Sequence, residues 1–90
     1  MTYEKTLEIE VLSEYAHNVY NAYSRFLTRN NIDVLNEKES FHGKLFDVFA
    51  EMLSVTLYDK NETELNEIRA FWQHMDSYVK VLNTQGRIVE

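Results

Sequence analysis

The sequence predicts an all-α protein built as a three-helix bundle, and three observations lead to this prediction. The 90 residues include no proline and only two glycines, so few positions interrupt a helix. Apolar residues recur at alternating steps of three and four, the spacing of one helical face. Two polar segments, 28–33 and 59–64, divide the chain into three such stretches. We therefore expect helices over about 3–28, 37–58 and 62–83, in a single domain covering residues 1–90.

The first predicted helix has six apolar residues on one face: Ile9, Leu12, Ala16, Val19, Tyr23 and Phe26. Asn30 and Asn31 should end it, because asparagine tolerates the left-handed backbone that follows many helices. Residues 5–12 leave an alternative open, since their apolar residues also alternate with glutamates as in a short strand. Such a strand would pair with the C-terminal residues 87–90, so short N- and C-terminal strands flanking the helices are the alternative architecture.

The second helix is predicted to begin at residue 37, directly after Asn36, which forms a capping box with Glu39. Its apolar face comprises Phe41, Leu45, Val48, Phe49, Met52 and Leu53. Gly43 lies within it as a single weak point that a helix tolerates. The helix should end near Tyr58.

The third helix has the most regular apolar pattern. Asn61 and Glu64 repeat the capping-box spacing at its start. The face that follows consists of Leu65, Ile68, Trp72, Met75, Val79 and Leu82. Asn83 to Gly86 should end the helix.

Composition excludes several classes of function. Without cysteine the chain has no disulfide, thiolate nucleophile or cysteine-ligated zinc. Its apolar runs are too short to cross a bilayer, and its acidic N-terminal segment does not resemble a signal peptide, so we predict a cytoplasmic protein. A net charge of −6 disfavours direct binding to nucleic acid, which requires lysine and arginine.

No phosphate-binding loop or zinc-protease motif is present, so we predict a protein that is not an enzyme and holds no cofactor or metal.

Two histidines occur in Glu-x-x-His spacing, as Glu14 with His17 and Glu39 with His42. This spacing puts both side chains on one helical face, and paired copies on facing helices build di-metal carboxylate sites. Only Glu67 lies near the apolar face of the third helix, so the ligand set is incomplete and we predict no metal site.

The third histidine belongs to Arg69-Ala70-Phe71-Trp72-Gln73-His74. This segment resembles the R-x4-6-H signature of the HEPN family of helical ribonucleases. The resemblance implies a composite site at a dimer interface, with Arg69 and His74 acting on RNA. Ala70 departs from the family, where a polar residue often follows the arginine. Positions five apart on a regular helix point about 140° away from each other, so the site would need a distorted helix or a second chain.

The chain carries more apolar surface than one stripe per helix requires. On the third helix a second seam beside the main face consists of Phe71, His74, Tyr78 and Val81. On the first helix Tyr15 forms a similar seam with Leu7 and Val11. Either the bundle has a wide core, or the surplus is a surface for self-association or a partner. Since symmetric dimers are the commonest oligomers, we predict a homodimer.

Acidic residues gather at the starts of the first and third helices, where they would steer a basic partner. The predicted partner-binding residues combine these charges with the surplus aromatic positions: Tyr15, Tyr20, Phe71, His74, Tyr78, Glu8, Glu10, Glu62 and Glu64. The sequence therefore predicts a small acidic helical protein that binds a protein partner, which is basic or itself binds nucleic acid. The expected class is an inhibitor, immunity protein, antitoxin or phage counter-defence protein. The alternatives are the HEPN-like ribonuclease and a purely structural dimerisation module.

Overall fold

A computed structural model of the chain describes residues 3–89, with side chains for residues 5–85. It contains three helices, α1 (Tyr3–Arg29), α2 (Phe41–Leu53) and α3 (Glu62–Val89). The all-α, three-helix prediction is confirmed. Residues 5–12 lie within α1, so the alternative of an N-terminal strand is wrong, and α3 continues through residues that the alternative assigned to a C-terminal strand. None of the helices described is long and apolar enough to cross a membrane.

Contacts between the helices define their directions. Near the start of α1, Lys5 donates to the carbonyl of Lys60, just before α3, at 2.9 Å. Further along both helices, the Tyr15 hydroxyl of α1 donates to Asp76 of α3 at 2.9 Å. Since partners advance together, α1 and α3 run in the same direction. The shorter α2 runs the opposite way, because its first turn places His42 beside Tyr23, far along α1.

The core lies along α1, where α2 and α3 both pack. All six residues of the predicted α1 face are buried, as are Leu65, Ile68, Trp72, Val79 and Leu82 of α3. At the centre the ring of Phe49 lies 4.8 Å from that of Tyr23 and 5.6 Å from that of Trp72, between ring centroids. The predicted core of α1 and most of that of α3 are confirmed, whereas Phe49 is the only apolar residue of α2 that is fully buried among the described residues.

The end of α1 follows the prediction. Asn31 has a φ of 57°, the left-handed conformation that asparagine tolerates. The backbone N–H of Ile32 then donates to the carbonyl of Leu27 at 3.0 Å, which satisfies a group left open at the helix end.

The predicted start of α2 is wrong by four residues. Asn36 does not cap the helix, because its side chain donates to Asp33 Oδ2 at 2.6 Å. Asp33 Oδ1 also accepts from the backbone N–H groups of Leu35 and Asn36, and this turn competes with helix formation. The helix starts at Phe41 instead, where Ser40 Oγ accepts from the N–H of Gly43 at 3.0 Å.

The later start of α2 changes the role of Gly43. A Cβ at this position would lie 2.2 Å from the carbonyl oxygen of Glu37 and 2.8 Å from that of Lys38. The 37–40 turn folds back closely over the helix at this point, so glycine is required here and is not the tolerated weak point predicted from the pattern.

Of the predictions for the remaining helix ends, one is confirmed and two are wrong. The capping box at Asn61 and Glu64 is confirmed, since each side chain accepts from the other residue's backbone N–H, at 2.8 and 3.0 Å. α2 ends at Leu53 and not near Tyr58, because Ser54 closes its last turn. α3 continues past the predicted end at residue 83, since the Asn83 side chain donates back to the carbonyl of Val79 at 3.0 Å and so remains part of the helix.

Candidate functional site

An open groove of about 670 Å³ runs between the first halves of α1 and α3. It is lined by Leu7, Glu8, Val11, Leu12, Tyr15, Arg69 and Gln73. These side chains come from α1 and α3 alone, so among the residues described none from α2 lines the groove. The parallel pair of long helices is thus covered by α2 along one side and remains open here.

The α1 wall of this groove is apolar and exposed. Leu7 is 47% exposed and Val11 61%, whereas Leu12 beneath them is buried. Leu7 and Val11 are one helical turn apart, so their side chains form a continuous strip on α1. Exposed apolar strips beside a concave surface are a common feature of protein interfaces.

The α3 wall is polar. Arg69 is half-buried and donates to Asn66 Oδ1 at 2.6 Å, and Gln73 follows one turn later. At the end of the groove the Tyr15 hydroxyl crosses to Asp76, whose other contact is Lys80 at 3.2 Å. Burial, and next the hydrogen bond and charge of Asp76, raise the pKa of Tyr15. Tyr15 therefore stays protonated and fixes the spacing of the two walls.

The predicted acidic residues lie around one end of the molecule. Glu8 lies in the groove, while Glu10 lines a second groove of about 450 Å³ between α1 and the segment that follows α2. Glu62 and Glu64 are exposed in the first turn of α3, at the same end because α1 and α3 are parallel. The structure therefore brings together the two acidic groups that the sequence predicts on separate helices.

Three of the predicted aromatic contacts lie elsewhere and pack against α2. The ring of Tyr20 packs against that of Phe46 in a tilted arrangement, with centroids 5.5 Å apart, and Phe71 meets Phe49 edge-on at 6.3 Å. Tyr78 is half-buried beside Phe41, 6.4 Å away. These side chains close the space between α2 and its neighbours, so a large part of the surplus apolar surface belongs to a wide core.

His74 is exposed on α3, on the far side of the helix from Arg69. Since α3 is an uninterrupted α-helix, their side chains diverge by about 140° and do not meet within one chain.

The other two histidines make structural hydrogen bonds. His17 Nδ1 lies 2.8 Å from the carbonyl of Ser13, and His42 Nδ1 lies 2.7 Å from the Tyr23 hydroxyl. In the described part of the chain no three histidine or acidic side chains converge as a metal site would require.

Sequence reasoning missed the polar wall of the groove. The sequence pattern assigns no role to Gln73, and it singles out Arg69 only as the arginine of the HEPN-like segment that ends at His74. Arg69 directly follows Ile68 of the buried face, and Gln73 directly follows Trp72. A polar residue in that position, beside the apolar stripe, is the signal for a helix–helix boundary. The sequence pattern marks Leu7 and Val11 as surplus apolar residues, but it does not place them among the predicted partner-binding residues.

Comparisons with known proteins agree over nearly the whole chain. The sequence profile of the family described as bacterial epsilon antitoxin matches residues 1–82. The chain is 30% identical over 86 residues to an antitoxin epsilon of Streptococcus pyogenes, covering 94% of each protein. It is 28% identical over 88 residues to an antitoxin epsilon of Streptococcus agalactiae, covering 98% of this chain and 97% of that protein. A chain in a solved structure of a toxin–antitoxin system bound to its substrate is similar with a TM-score of 0.78 and 29% identity, covering 89% of this chain and 93% of that one.

Proposed function

The chain belongs to the bacterial epsilon antitoxin family, and from this membership we propose that it acts as an antitoxin by binding a partner toxin. Antitoxin is one of the classes that the sequence predicts, and the family relationship supports it over the ribonuclease alternative. Neutralising a toxin by binding it requires no catalysis, so the proposal includes the expectation that the chain is not an enzyme. An antitoxin has to be present where its toxin is, and we propose the cytoplasm as this location, as the sequence predicts.

The groove between α1 and α3 carries this proposal. Leu7 and Val11 expose apolar surface beside a concave wall, and the three-helix packing leaves them without a covering element. Burial of such side chains contributes roughly 25 cal/mol per Å² of apolar surface. The toxin-binding surface is therefore this groove, with Tyr15 and Glu8 of the predicted set among its residues.

The acidic end of the molecule would direct the approach of the toxin. Glu8, Glu10, Glu62 and Glu64 lie around the same end as the groove, and the chain has a net charge of −6. A negative surface at an interface accelerates association with a positive partner and acts less at high salt. We expect the toxin to present basic groups around its binding site.

A second exposed apolar surface lies at the start of α2 and on the second half of α3, and it supports the predicted homodimer. Phe41 is 65% exposed at the start of α2, with its ring 6.4 Å from that of Tyr78, and Val81 is 50% exposed on α3 about one turn after Tyr78. This surface is separate from the groove, so self-association would leave the toxin-binding groove open.

The proposal is tested with a toxin captured on the tagged wild-type chain and identified as a protein that arrests growth when expressed alone. Val11→Asp should weaken its binding by about 30-fold, since a charge would then lie in the apolar interface. Leu35→Asp is the matched control, because Leu35 is as exposed but lies in the α1–α2 loop. Equal binding by both variants, with neutralisation of the toxin intact, would exclude the groove.

A further inference from the structure

We propose that the element of the toxin that enters the α1–α3 groove is an amphipathic helix, and that one carboxylate on its edge meets Arg69. This inference depends on the proposed function, since it identifies what occupies the same groove. It follows from the spacing of the apolar residues, the backbone of the walls and the charge of Arg69.

The apolar wall has helical spacing over more than two turns. Leu7, Val11 and Tyr15 are four residues apart on α1, so they form a ridge along the i, i+4 direction. Such ridges pack into the grooves of another helix, whose own apolar residues recur at three and four positions. A fourth helix at this place would cover the side of the α1–α3 pair that α2 leaves open.

The backbone of the walls also favours a helix over an extended segment. Leu7 to Tyr15 and Arg69 to Gln73 lie within continuous helices, whose N–H and C=O groups are already bonded internally. The residues described along these walls therefore offer no free strand edge to pair with an incoming strand. An extended segment buried here would leave its own backbone groups unpaired, whereas a helix satisfies them internally.

The positive charge of Arg69 indicates which residue type the incoming helix carries on the edge that faces α3. It is half-buried on the α3 wall, and its hydrogen-bond partner is the neutral Asn66 side chain. The ion pairs among the described residues involve Lys44, Lys60 and Lys80, so Arg69 is not within ion-pair distance of a carboxylate, although Glu8 lines the same groove. A guanidinium with free N–H groups beside an apolar surface binds a carboxylate with two parallel hydrogen bonds. The occupant therefore carries aspartate or glutamate at its α3-facing edge, even if the toxin is basic elsewhere.

Two variants of equal charge change test this contact against the captured toxin. Arg69→Glu should raise the Kd by about 30-fold, because the new carboxylate would repel the carboxylate of the toxin helix. Arg25→Glu is the control, since Arg25 is exposed on α1 outside the groove, and it should change the Kd by less than about threefold. Arg69→Gln, which keeps hydrogen-bonding capacity without charge, should have an intermediate effect, and the unfolding midpoint of each variant verifies folding.

The occupant itself is identified by placing a photoreactive benzoylphenylalanine at Val11. The expected cross-linked peptide of the toxin has apolar residues at three- and four-residue spacing and an acidic residue on one edge. Replacing that acidic residue by arginine should restore binding to Arg69→Glu. A cross-link to an extended segment, a cross-link to a second copy of this chain, or equal Kd values for Arg69→Glu and Arg25→Glu would overturn the inference. In each of these cases, loss of binding in Val11→Asp would still support the groove as the toxin-binding surface. The experiments therefore distinguish failure of the helix proposal from failure of the groove proposal.

Discussion

The hydroxyl of Tyr23 lies 2.7 Å from Nδ1 of His42, and this contact joins the core of α1 to the first turn of α2. Tyr23 is fully buried, and burial raises its pKa, so the hydroxyl keeps its proton and donates it. His42 accepts only while Nδ1 carries no proton. Burial lowers the pKa of His42, in agreement with this role. Tyr78 of α3 is the other titratable group whose charge acts on Tyr23, and burial raises its pKa also.

The first prediction is that acid weakens the fold through His42. Its pKa is lower in the folded chain than the ordinary value of 6.5, so between these two values the unfolded chain binds more protons. The free energy of unfolding should therefore be at its full value above about pH 6.5 and fall as the pH decreases. Urea unfolding at a series of pH values measures this slope. His42→Gln should remove it, whereas the exposed-site variant His74→Gln should retain it; a slope that persists in His42→Gln would assign it to another group.

The second prediction concerns Gly43. In an ordinary helix interior, alanine is more stable than glycine by about 1 kcal/mol. Gly43→Ala should instead lower the free energy of unfolding by about 1–3 kcal/mol, because the new Cβ collides with the carbonyl oxygen of Glu37. Chemical denaturation checks the sign. Asp47→Ala, at an exposed position of the same helix, should be neutral or stabilising, and a stabilised Gly43→Ala would show that the 37–40 turn moves freely.

The two predicted capping boxes provide a matched pair of variants. Asn61→Ala removes the acceptor for the backbone N–H of Glu64 and should lower the free energy of unfolding by about 1 kcal/mol. Asn36→Ala removes an exposed contact with Asp33 that does not cap a helix, so the loss should be within about 0.5 kcal/mol. Thermal unfolding of both variants compares them directly. A larger loss for Asn36→Ala would mean that the Asp33 turn, and not the helix cap, controls stability.

The difference between these two motifs explains which parts of the fold the sequence predicts. Asn36 and Asn61 have the same local pattern, but Asp33 precedes only the first and captures its side chain. Helix starts depend on such competition among neighbours, which the spacing of two residues does not report. The long apolar faces of α1 and α3 are predictable because many residues repeat the same period, and each buries its side chain against the others.

The candidate site is less predictable, because periodicity identifies an apolar side chain but not what covers it. Phe71 and Val11 both lie beside a main stripe, yet Phe71 packs on Phe49 of α2 and Val11 remains exposed. The outcome depends on α2, which is 13 residues long and lies on one side of the α1–α3 pair. Only the assembled bundle shows that this side is covered and that the side with Arg69 is open.

The last prediction separates self-association from toxin binding. Val81 is 50% exposed on α3, about one turn after Tyr78, which contacts Phe41, and it does not line the groove. Val81→Asp should shift the mass measured by light scattering from dimer to monomer, because it places a charge in the apolar contact between copies. Since Val81 supports no core packing, thermal unfolding of the monomer should change by less than about 0.5 kcal/mol. Val11→Asp should leave the dimer intact while it weakens toxin binding. A mass unaffected by Val81→Asp, or lowered equally by Val11→Asp, would remove the dimer from this surface.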